Sequence, residues 1–131
     1  MIDKFVNRWE KNKDKLRNHF AKNHKYYSYS EIFKLICKLV LTENTDDEGC
    51  PDPERITVIN HGDYQGTLIL VVGSCGYQPD NYWATKVYYG SCSGCDTLQH
   101  ILAYSEESFN EQQINDLMTL SLHMVQKLKE I

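Results

Sequence analysis

Leu68-Ile69-Leu70-Val71-Val72 is an uninterrupted apolar run within the β-rich stretch Thr67–Val72, which follows Gly66 and precedes Gly73-Ser74-Cys75-Gly76. Five β-prone residues between turn signals read as a strand, and the lack of alternation predicts a central strand covered on both faces. Working outward, Ile56–Ile59 forms a second β-rich run. It is joined to the first by His61-Gly62-Asp63-Tyr64-Gln65-Gly66, the composition of a hairpin with a longer loop. Beyond the Gln78-Pro79-Asp80-Asn81 turn, Tyr82–Tyr89 is a third strand rich in aromatic and β-branched residues.

Helical patterns flank these strands. Ile2, Phe5, Val6, Trp9, Leu16 and Phe20 share one stripe, which predicts a helix over residues 2–22 with lysines on its outer face. Ser28-Tyr29-Ser30-Glu31 fits a capping box and opens a second helix that buries Ile32, Leu35, Ile36, Leu39 and Val40. Thr97–Tyr104 reads as a short helix. Ser108 or Asn110 caps a last one, with Ile114, Leu117, Met118, Leu122, Val125 and Leu128 on its core face. The expected architecture is a single α+β domain over residues 1–131, in the order ααβββαα. A three-stranded, mainly antiparallel sheet is packed by the N-terminal and C-terminal helices.

Bulk composition narrows the function classes. No apolar run approaches the roughly 18 residues of a membrane span, and the lysine-rich start does not read as a signal peptide, so a cytoplasmic protein is expected. In that compartment the five cysteines are expected to be free thiols. Residues 1–27 carry eight Lys/Arg against three Asp/Glu, whereas the rest of the chain is strongly acidic. A basic helix lying beside acidic surface explains this split more simply than nucleic-acid binding does. The acidic residues 42–54 lack the ligand order of a calcium loop and read as an exposed loop, with Cys50 as the most exposed thiol.

Tyr88-Tyr89-Gly90-Ser91-Cys92-Ser93-Gly94-Cys95-Asp96-Thr97-Leu98-Gln99 is the unusual stretch: a strand end, a small-residue turn and a helix start. A CxxC at a helix N-terminus favours the thiolate, so Cys92 and Cys95 are candidates for dithiol redox chemistry. The order strand, CxxC, helix resembles thioredoxin-like sites. Of the three prolines, Pro51, Pro53 and Pro79, none lies on a strand that would face the motif. Zinc would need two further ligands, for which Cys75, His61 and His100 are the candidates, since a lone pair lacks the spacing of a zinc signature. A Cys92 or Cys95 nucleophile with His61 or His100 and Asp96 or Asp63 is a third arrangement. Backbone amides over Gly90–Asp96 would alternatively accept an anion or nucleotide. The structural reading weighs most: glycines and serines permit a tight corner, small thiols fill the space beneath it, and Asp96 or Thr97 caps the next helix.

Binding candidates follow from the same two loops. His61, Asp63, Tyr64 and Gln65 form a polar cluster, and Tyr89, Ser91, Ser93 and Asp96 line the second turn. Tyr82, Trp83, Tyr88 and Tyr89 put aromatics on both faces of one strand, one face for the core and the other for stacking or protein binding. Only Lys86 is interleaved with them, which disfavours an RNA-reading sheet. His61–Gly66 and Tyr89–Leu98 together resemble a family of small uncharacterised proteins of phages and large DNA viruses, over about a third of the chain. The resemblance implies viral origin, an accessory role and residence in the host cytoplasm, and it assigns no catalytic residue. The expected function is non-catalytic binding of a host or viral protein, with no cofactor required. Thiol-redox or zinc chemistry at Cys92 and Cys95 is the alternative, and anion binding at Gly90–Asp96 the second.

Overall fold

The computed structural model describes residues 2–44, 47, 49–62, 66–90, 96–103 and 107–131. Helix α1 (Ile2–Lys22) buries Phe5, Trp9, Asn12, Leu16 and Phe20, a stripe at the helical period. Helix α2 (Tyr29–Ile36) starts with the expected capping box. The Ser28 hydroxyl accepts the Glu31 N–H and the Glu31 carboxylate accepts the Ser28 N–H. At its end the helix widens into a π turn, Cys37–Leu41, closed by the Thr42 N–H to Cys37 O bond of 2.9 Å. The extra residue per turn rotates the buried face. Cys37, Val40 and Leu41 are therefore buried, while the expected Leu35 and Leu39 are only partly so.

Four strands form an antiparallel meander in chain order: β1 (Pro51–Gly62), β2 (Gly66–Ser74), β3 (Tyr82–Tyr89) and β4 (Lys129–Glu130). The α+β class is as the sequence implies, with one strand more than expected. Strand β4 pairs with Trp83 and Ala84 after the last helix, and two residues are too few to show a period. Between β3 and β4 lie α3 (Thr97–Leu102) and α4 (Glu111–Gln126), the latter capped by Asn110 and Gln113 in a second capping box.

Two further expectations are corrected. Strand β1 begins at Pro51, five residues before Ile56, with a bulge between them, because an edge strand tolerates proline. The Cys75 N–H donates to Cys50 O at 2.9 Å, which draws Cys50 under the sheet and leaves it fully buried. Strand β2 is central, but it is not covered equally on both faces. Leu70 and Val72 are fully buried among Phe5, Trp83, Leu117 and Met124, while Ile69 and Val71 on the opposite face stay partly exposed. Helices pack one face of the sheet, where Phe5 meets Trp83 edge to face at 5.4 Å.

Candidate functional site

Register brings the two sequence motifs to one end of the sheet. Gly62 lies opposite Gly66, and Gly66 lies opposite Tyr89, so the β1–β2 turn and the segment after β3 are neighbours. The Tyr89 hydroxyl donates to Asn60 Oδ1 at 2.5 Å and ties β3 to β1 across β2. His61 is placed by its backbone opposite Thr67. Asp63, Tyr64, Gln65, Ser91, Cys92, Ser93 and Cys95 lie outside the described residues.

Asp96 is the hub of this end. It is buried, and its carboxylate accepts three hydrogen bonds: Oδ1 from the Tyr29 hydroxyl at 2.9 Å and the Gln99 N–H at 3.0 Å, and Oδ2 from the Gly90 N–H at 2.8 Å. Gln99 closes the ring by donating Nε2–H to Gly90 O at 3.1 Å. Tyr29 in turn accepts the Leu98 N–H at 3.2 Å. Burial, and then the adjacent carboxylate, hold the Tyr29 phenol well above its ordinary range against the opposing Leu98 bond, so it remains a proton donor. Asp96 thus caps α3 and holds it to Gly90 at the end of β3. An anion seated at Gly90–Asp96 would meet a carboxylate, with the Gly90 and Gln99 amides already turned toward it.

Among the described residues the thiols are near one another: the Cys75 N–H donates to Cys50 O, and Cys75 acts electrostatically on Cys37. Cys75 follows β2 at its far end, roughly 30 Å of extended chain from Gly66, away from the end where Gly62, Gly66 and Tyr89 meet. Cys37, Cys50 and Cys75 are free and buried. Burial raises the Cys37 and Cys75 thiols above their ordinary range, with Asp52 adding to the effect on both, so these two are poor nucleophiles. Among the described residues no three His, Cys, Asp or Glu side chains converge on a metal-sized site. His100 is exposed on α3, where it faces a groove.

Two grooves share the Tyr29–Asp96 pair as a common wall. One, of about 620 Å³, runs between β3 and α4 past Lys86, Tyr88, His100, His123 and Lys127. The other, of about 470 Å³, lies against Val58, Asn60, Leu68 and Tyr89. Tyr29, Asn60 and Gln99 were not marked by the sequence reading. Tyr29 directly follows a capping serine, which was the one local signal available. Compared with known proteins, the chain matches no family model, no curated protein and no solved structure.

Proposed function

We propose that this is a viral or phage accessory protein that acts by binding a protein partner, without catalysis of its own. The observation that supports this reading is the face of the sheet turned away from the helices. Strand alternation places Ile59, Ile69, Val71, Tyr82, Ala84 and Tyr88 there, in register across three strands, with Lys86, Thr57 and Thr67 among them. Ile59 is 46% exposed, Tyr82 43% and Tyr88 63%. Aliphatic and aromatic side chains gathered on one sheet face form the kind of patch that marks an interaction surface. The kinship implied by His61–Gly66 and Tyr89–Leu98 belongs to the same proposal and supplies its viral setting.

The test is affinity capture from the lysate of a candidate host with the wild-type chain and with Ile59→Glu and Tyr82→Glu variants. The expected result is a defined protein retained by the wild type and lost by both variants at an unchanged melting temperature. Equal retention by wild type and variants, or nothing above background, overturns the reading. No helix is long and apolar enough to cross a membrane among the described residues.

A further inference from the structure

We infer that the exposed edge of β3 takes up an extended, alternating apolar and acidic segment of a partner protein as an added strand, in the groove between β3 and α4. The inference rests on the protein-binding reading above and names the chemistry of what is bound.

Two backbone hydrogen bonds fix which way the β3 backbone points. Asn81 O accepts from the Ser74 N–H at 2.9 Å, on the β2 side, and Tyr82 O accepts from the Ile131 N–H at 2.9 Å, on the β4 side. Successive residues of a strand point their N–H and C=O groups to opposite sides. Trp83, Thr85, Val87 and Tyr89 therefore bond to β2, while Ala84, Lys86 and Tyr88 face the other way. Strand β4 pairs with Trp83 and Ala84 only. The outward amides and carbonyls of Lys86 and Tyr88 have no strand partner among the described residues. The chain's own C-terminal segment already adds as a strand to this edge, and the edge continues past the point where that segment leaves it.

The groove beside this edge has the parts of a strand-binding cleft. Val87, Ile101, Leu120 and Met124 supply apolar surface. Lys86 and Lys127 supply the cationic groups; of the two carboxylates, Asp96 is buried and engaged by three donors, and Asp116 accepts from Gln112 at 2.9 Å. Lys127 Nζ sits 5.8 Å from the Tyr88 ring, at the mouth. A strand laid along Lys86–Tyr88 would turn alternate side chains toward the helices, where apolar residues fit. The others would turn toward the face that carries Lys86, where acidic residues fit. Charge and the two-residue period together select the alternating pattern.

Lys86→Pro separates edge pairing from every other mode of binding. Its lost N–H serves no bond within the sheet, so the fold is retained, while an added strand loses a bond and meets the proline ring. The probe is a fluorescein-labelled Val-Glu-Val-Glu-Val-Glu peptide, followed by anisotropy, with a Val-Lys repeat as control. Expected results are saturable binding of the acidic probe and weaker binding of the lysine control. Lys86→Pro should bind about 10-fold more weakly or worse, and Lys86→Gln, which keeps the N–H and loses only the charge, should fall between Lys86→Pro and the wild type. Amide exchange on the wild type gives an independent reading: the Lys86 and Tyr88 amides slow when peptide is added, and the sheet-bonded Val87 amide changes little. No binding by the wild type, equal binding by Lys86→Pro, or no slowing at Lys86 and Tyr88 overturns the inference. Partner capture that depends on Ile59 and Tyr82 but survives Lys86→Pro overturns strand addition alone and leaves the protein-binding reading in place.

Discussion

Asp96 shows how a residue that looks available in sequence can be consumed by the fold. A carboxylate between a small-residue turn and a helix invites a ligand-binding role, yet here it is buried and satisfies donors from α2, β3 and α3 at once. Replacing it leaves buried donors unpaired, a loss that charge-assisted hydrogen bonds make expensive. Asp96→Ala should destabilise the fold by about 2–4 kcal/mol in urea unfolding, and Asp96→Asn by less, because the amide oxygen still accepts. A shift below about 0.5 kcal/mol for Asp96→Ala would contradict the hub role. The helix cap was legible, since an Asp before Thr97-Leu98 is a local signal. Its partner Tyr29 was not, because the two lie 67 residues apart and only tertiary packing joins them. The capping of α2 was legible for the same local reason as the cap of α3.

At the scale of elements, α2 shows where periodicity reads correctly and where it fails. Ile32, Ile36 and Val40 are buried as their spacing predicts, but the π turn then advances the face to Leu41. Val40 and Leu41 end the helix, so their carbonyls have no intrahelical partner and are satisfied from outside. Helix α1 does this with two residues one turn apart: Arg8 Nη1–H donates to Leu41 O at 3.0 Å and Asn12 Nδ2–H donates to Val40 O at 3.0 Å. Among the described residues Asn12 is the one polar member of the buried stripe of α1. Asn12→Leu should cost about 1–3 kcal/mol in thermal or urea unfolding, because an apolar side chain strands the Val40 carbonyl. An unchanged stability would mean that the carbonyl is satisfied otherwise. No sequence period announces a π turn. The apolar spacing through Leu41 fits an ordinary helix almost as well, so Ile32, Ile36 and Val40 are legible as core, while Leu35 and Leu39 are only partly buried and Leu41 is not anticipated. Cys50 was misread for a related reason: an acidic, proline-bearing segment looks exposed, and only its pairing with the end of β2 buries it.

Over the whole molecule, strand order follows chain order, and this is why the α+β layout could be read from turn signals. The two-residue β4 and the uneven covering of β2 could not, since both depend on where α4 delivers the chain. The meeting of the two motif loops at one sheet end is likewise a product of register, not of either motif alone. The Gly90–Asp96 clamp carries a consequence for how this protein can change. Gly90 and Asp96 are held together by bonds that involve none of the five residues between them. The closure entropy of a loop grows slowly with its length, each doubling costing only about 0.6 kcal/mol. Inserting five Gly/Ser residues between Ser93 and Gly94 should therefore lower stability by no more than about 1 kcal/mol, measured by urea unfolding, with a larger loss showing that the turn itself supports the core. The frame and the segment it carries can then drift at different rates, so that lineages could exchange what the 91–95 segment presents while inheriting the same sheet, the same clamp and the same core.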